Sequence, residues 1–231
     1  MMLLRRQILQ FTLASACLLA STDRALAQSS GPSDPGVLMV VVRESQGANK
    51  QDEALKPTGK IQMIDSDGVP VEIEFASFEF IGDMHIRFVF DDVNTMRVLR
   101  PEELTQLDLS PDKALNLAVA NIRRVYGQPE AVPLTDGISQ VQGKSPDLDS
   151  SYFLDREFWR GLLKQHPEGL VVAVPSRGGL LFAPAMDDRA VGVLRSNVLQ
   201  WHIESDRLRV SSALYLFKDN RWSVYQAPQS P

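Results

Sequence analysis

Apolar and polar positions along this chain follow two periods, and the changes of period mark out its elements. Residues 37–42 form an unbroken apolar run, Val-Leu-Met-Val-Val-Val. Such a run is the pattern of a strand covered on both faces, so it is expected inside a sheet. Residues 44–59 are polar without a period and read as a long surface loop. Residues 60–64 and 69–75 flank Asp65-Ser66-Asp67-Gly68. This predicts a hairpin, because Asp and Gly supply the positive φ of a tight reversal. In its second arm Val71, Ile73 and Phe75 face one way, and Glu72 and Glu74 the other. The apolar phase then moves to Phe78 and Phe80, which requires a bulge or turn at Ala76-Ser77 to restore the buried face.

Residues 83–90 alternate strictly: Met84, Ile86, Phe88 and Phe90 fall on the core side, while Asp83, His85 and Arg87 share the opposite face. A short strand follows at 96–99, and Pro101-Glu102-Glu103 opens a short helix. Ser110-Pro111-Asp112 opens a longer one, with Ser as N-cap, Pro at the first helical position and an acid in the first turn. Leu115, Ala118, Ile122 and Val125 form its stripe, and Gly127 ends it. Residues 128–151 are rich in Pro, Gly and Asp and read as a connection between halves 37–127 and 150–226, with a strand near 138–141. Beyond it lie a helix over 155–165, a hairpin of 170–174 with 180–182, and a helix from Asp187-Asp188 with the stripe Val191, Leu194, Val198 and Trp201. A last hairpin turns at Asp219-Asn220. The order predicts a single α+β domain over 37–226, with a largely antiparallel or mixed sheet and two to four helices. Strand, turn, strand and helix recur at 84–126 and 170–203, the arrangement of a duplicated ββα unit.

The ends add a location. Arg5-Arg6, an apolar stretch over 8–20 and Ala25-Leu26-Ala27 before Gln28 have the three parts of a signal peptide spanning 1–27. The expected product is periplasmic or secreted. The apolar stretch is short and broken by Gln10, Thr12 and Ser15, and the mature chain has no other stretch able to span a membrane. Arg5-Arg6 also resembles a twin-arginine signal, although Leu4 and Ile8 stand where Ser or Thr and Phe are usual, so both export routes stay open. Ala14-Ser15-Ala16-Cys17 loosely matches a lipoprotein box, in which Cys17 would carry the lipid. The apolar run continues through Leu18-Leu19, which favours cleavage near Ala27. Residues 28–36 read as a disordered leader and 227–231 as a disordered tail.

Composition narrows the chemistry. Cys17 is the only cysteine, so the processed chain has no disulfide and no thiolate. Its formal charge of −5 becomes −7 when Arg5, Arg6, Arg24 and Asp23 leave with the signal. An acidic surface with dispersed Lys and Arg argues against nucleic acid as a partner. His85, His166 and His202 are far apart with no ligand-pair spacing, and no phosphate-loop, dinucleotide or calcium-loop motif occurs, so neither metal nor cofactor is expected.

Asp83, His85 and Arg87, with Asp91-Asp92 just beyond, form the best polar cluster. A carboxylate and an imidazole on alternate residues can share a proton, as hydrolytic chemistry requires. A solvated sheet face accounts for the same pattern. Val174-Pro175-Ser176-Arg177-Gly178-Gly179 lacks the first glycine of a nucleophile elbow and is followed by a strand. It reads instead as a hairpin turn in which Arg177 and the backbone N–H groups around Gly178 and Gly179 are placed to hold an anion. Asp187-Asp188 is explained by the helix dipole.

Met84-His85-Ile86-Arg87-Phe88-Val89-Phe90-Asp91-Asp92, Pro101-Glu102-Glu103-Leu104 and Ala118-Val119-Ala120-Asn121-Ile122-Arg123 resemble the YtpQ-like bacterial family of unknown function. So do Leu170-Val171-Val172-Ala173-Val174-Pro175-Ser176-Arg177, Leu180-Leu181-Phe182, Leu214-Tyr215-Leu216-Phe217 and Asn220-Arg221-Trp222, in that order. The resemblance covers roughly residues 80–226. It implies an α/β fold and carries no activity, and the export signal departs from most members. The expectation is therefore a non-catalytic exported domain that binds a protein, peptide or small ligand. The alternative is a periplasmic hydrolase using Asp83, His85, Asp91 and Asp92.

Overall fold

In the computed structural model, which describes residues 34–92 and 95–229, the chain builds two larger antiparallel sheets with helices packed on them and a separate two-stranded ribbon. The expectations for the signal, Cys17 and residues 28–33 fall outside the described residues. The strands are β1 (Leu38–Glu44), β2 (Lys56–Pro57), β3 (Lys60–Ile64), β4 (Pro70–Glu74), β5 (Ser77–Glu79), β6 (Met84–Asp92) and β7 (Thr95–Val98). Helices α1 (Pro101–Gln106) and α2 (Pro111–Tyr126) follow, then β8 (Glu130–Pro133), β9 (Ser139–Gln142), a 3-10 segment (Pro146–Leu154) and α3 (Arg156–Leu163). The chain ends with β10 (Leu170–Ser176), β11 (Gly179–Pro184), α4 (Asp188–Glu204), β12 (Leu214–Lys218) and β13 (Arg221–Gln226). The fold is α+β.

The first sheet runs β1-β6-β5-β2, and β7 joins β6 on the side away from β1, beyond β5. The second sheet runs β13-β12-β10-β11-β9-β8. Residues Leu170 to Val174 on β10 are all buried because their alternate side chains enter different cores. Leu170, Val172 and Val174 join the first sheet, α2 and the 3-10 segment, while Val171 and Ala173 meet Ala190, Val191, Leu194 and Val198 of α4.

Several expectations are corrected here. The apolar run of β1 is buried on both faces, yet β1 ends its sheet and pairs only with β6. Its cover comes from α2 and the 3-10 segment rather than from flanking strands. β3 and β4 do not continue into the main sheet through a bulge; they form a separate ribbon with every residue of β3 exposed. The strand expected near 138–141 is β9; beyond that expectation, residues 128–151 also contribute β8 to the second sheet, and residues 148–154 are buried. Asp34 caps a 3-10 turn at Pro35–Val37, and Asn121 Nδ2 donates to the Pro35 and Leu38 carbonyls, which holds residues 34–36 of the expected leader against α2. At the other end Gln229 exchanges hydrogen bonds with Ser212, which ties that residue of the expected tail to the segment leading into β12. The two expected ββα units differ in packing, because α4 lies on its own hairpin β10–β11 whereas α2 lies chiefly on β1.

Candidate functional site

The alternation of β6 puts His85 and Arg87 on the face opposite Met84, Ile86, Phe88 and Phe90. The β1–β6 register then sets Arg43 directly beside His85, and the β5–β6 register sets Ser77 beside Arg87. The guanidinium of Arg87 lies over the Phe75 ring, 5.5 Å from its centroid, and its Nη2 is 3.4 Å from His85 Nε2. His85 Nδ1 is 3.0 Å from Ser45 Oγ. Arginine only donates, so Nε2 is the acceptor and Nδ1 carries the proton, the tautomer of a neutral imidazole. Burial, then Arg87 and Arg43, push the His85 pKa down to about 4, in keeping with that tautomer.

Arg177, at the turn between β10 and β11 of the second sheet, lies close enough for its charge to act on Arg43. Its N–H donates to the Leu208 carbonyl and its carbonyl accepts from Ser150 N–H, which fixes the turn. Gly178 lies against the Pro146 carbonyl, 3.1 Å from where a Cβ would sit, so a side chain there would push the turn off the 3-10 segment. The expected anion cradle of backbone N–H groups is corrected at Arg177, whose N–H is already engaged; the guanidinium remains for a ligand.

Arg43 is half-buried, and its pKa is lowered to about 10, first by burial, then by the positive charges of Arg177 and Arg87, against the opposing pull of Asp147. Burial also lowers that of Arg87. A pKa of about 10 leaves the Arg43 guanidinium charged at neutral pH. Among the described residues none of Arg43, Arg87 and Arg177 is in a salt bridge. Of the nearby carboxylates, Glu79, opposite His85, lies 3.4 Å from Lys56, Glu44 lies 3.2 Å from His202 Nε2, and Asp147 acts on Arg43 without pairing with it. Ser77 Oγ, Arg87 Nε and Arg177 Nε are buried without hydrogen-bond partners. Converging cations with so little compensation are costly in a partly desolvated place, and an anionic ligand removes that cost.

The other expected site residues are dispersed. Asp83 is not on the solvated face with His85; it is 4 % exposed and turns into the core. Its carboxyl accepts from the Ser211 hydroxyl, from Tyr215 Oη at 3.0 Å and from Ser212 N–H at 3.3 Å. Asp91 accepts from the Tyr126 hydroxyl, whose pKa burial and Asp91 push up to about 12. Asp92 ends β6 opposite Thr95. The expected hydrolytic set therefore does not converge. His85 and Arg87 instead lie beside Arg43, on which the charge of Arg177, expected at a separate anion site, also acts. Arg43 and Ser77 were missed. The signal for Arg43 was a charge closing an apolar strand; its neighbour across the sheet is fixed only by pairing register, which one strand does not encode.

A cleft of about 140 Å³ elsewhere is lined by Phe80, Leu115, Leu154 and Trp222; of its charged residues Glu53, Asp112 and Arg156, Glu53 and Arg156 are paired with each other. Among the described residues no group of three or more His, Cys, Asp or Glu side chains is placed to hold a metal, and no helix is long and apolar enough to cross a membrane. No family model, curated protein or solved structure matches the chain.

Proposed function

We propose that this protein is an exported, non-catalytic binding domain whose ligand presents an anionic group to Arg43, Arg87 and Arg177. The observation that carries the proposal is that Arg43, in register with the Arg87-bound His85 and within reach of the charge of Arg177, shares with both arginines the lack of an ion-pair partner among the described residues. Charge-assisted hydrogen bonds from guanidinium to oxyanion are among the strongest polar contacts available, and arginine is the residue suited to making them in desolvated surroundings. Neutral His85 serves the site by accepting from Arg87 and orienting it, a positioning role.

Export is supported by Arg5-Arg6, the apolar stretch over 8–20 and Ala25-Leu26-Ala27. Kinship with the YtpQ-like family is part of the same proposal, supported by the ordered sequence blocks between residues 80 and 226. The test is an NMR titration of the protein with sulfate at constant ionic strength. Amides of residues 43, 85, 87, 177 and 178 are expected to shift saturably, and Arg43→Gln and Arg177→Gln to abolish the response. Unsaturable or scattered shifts would overturn the proposal.

A further inference from the structure

We infer that the arginine site selects a doubly charged oxyanion, such as a phosphate monoester or sulfate group, over a singly charged carboxylate. This rests on reading the Arg43, Arg87 and Arg177 cluster as an anion site, and adds the charge its ligand must carry. None of the three guanidiniums has a carboxylate within ion-pair distance among the described residues, and Asp147 opposes only the charge of Arg43, from farther away. Glu79, the carboxylate in register with His85, lies against Lys56, so the three cations share more positive charge than their surroundings offset. A singly charged ligand leaves much of that charge unmatched in a place partly shielded from water; a dianion matches more of it.

Geometry agrees with charge. The cations come from three chain segments: Arg43 from β1, Arg87 from β6 and Arg177 from the β10–β11 turn. A tetrahedral oxyanion directs its oxygens outward in several directions and can meet donors converging from separate elements. A planar carboxylate suits one guanidinium fork. Ser77 Oγ, beside Arg87 in register and without a partner, adds a neutral donor to the same face.

The experiment is a calorimetric comparison of sulfate, methyl phosphate and acetate at fixed ionic strength, at pH 7.5 and pH 5. Sulfate and methyl phosphate are expected to bind at least about tenfold more tightly than acetate at pH 7.5. Methyl phosphate loses its second negative charge below about pH 6. Its affinity relative to sulfate should therefore fall between the two conditions, whatever the protein's own groups do, since both anions meet the same protein. Arg177→Gln should bring sulfate and acetate close together, with circular dichroism confirming the fold and Arg43→Gln as a second variant. Acetate binding as tightly as sulfate, with both abolished by Arg177→Gln, would overturn the selectivity and leave the anion site standing. No binding of any of the three anions would overturn the site itself.

Discussion

Asp83 and His85 stand two residues apart, and one enters the core while the other faces a cluster of cations. The difference starts at Gly82, whose φ of +60° lets the chain pass beneath the Tyr215 ring, where a Cβ would collide with the phenol. Asp83 is thereby delivered to Ser211, Ser212 and Tyr215, while β6 begins at Met84 and resumes strict alternation. Tyr215→Phe removes one of three donors from this buried carboxyl and is expected to cost about 1–2 kcal/mol in urea denaturation. Asp83→Ala, which strips the acceptor from all three, should cost more, about 2–3 kcal/mol. His85 gives a pH dependence of definite sign. Its folded pKa of about 4 lies below the ordinary 6.5, so its neutral form contributes stability that is complete above pH 6.5 and lost as pH falls toward 4. The loss amounts to at most about 3 kcal/mol, and His85→Gln, which cannot titrate, should flatten the stability profile across that window.

Elements were legible in the sequence where a single period governs them. The hairpin at 60–74, the alternation of β6, the Ser110 cap of α2 and the closing hairpin all lie where patterning and turn chemistry put them. The 3-10 segment was not legible, since three residues per turn over nine residues leaves neither the helical nor the strand signature. Yet it carries Phe153, stacked 3.9 Å from Trp222, and leads into the fully buried Trp159, whose indole N–H donates to the Tyr152 and Phe153 carbonyls. Sheet order was equally hidden, because β1 owes its burial to elements distant in sequence. Asp155 fastens α3 to α2: it caps Phe158 N–H and takes a two-pronged contact from Arg123 at 2.5 Å on each oxygen. Asp155→Ala leaves a largely buried guanidinium without its main counter-ion and is expected to cost about 3 kcal/mol in chemical denaturation. The β3–β4 ribbon is the opposite case. It has no extensive contact with another element, and an isolated ribbon has little stability of its own. Hydrogen exchange read by mass spectrometry should find residues 60–74 exchanging fastest among the strands and β10 slowest.

At the scale of the whole molecule, the two sheets share one core and also one polar site. Arg43 and Arg87 belong to the first sheet, Arg177 to a turn of the second, so the cluster exists only once the sheets have packed. This is why it escaped the sequence: His85 and Arg87 stood with Asp83 along one strand, Arg177 stood alone in a turn, and nothing local joins them. Mutual repulsion among the three cations gives the site a thermodynamic signature. Arg177→Gln should raise the stability of the ligand-free protein by about 1 kcal/mol in urea denaturation, while removing the added stability that sulfate confers on the native chain. A purely structural arginine would show the reverse, with the variant less stable and the sulfate effect intact. An oxyanion held among Arg43, Arg87 and Arg177 is seen most plainly in a crystal structure after soaking in selenate, a sulfate analogue visible by its anomalous scattering. An anomalous peak within hydrogen-bond distance of all three guanidiniums is expected; an unoccupied cluster, or guanidiniums found paired with carboxylates of the same chain, rules out the anion site.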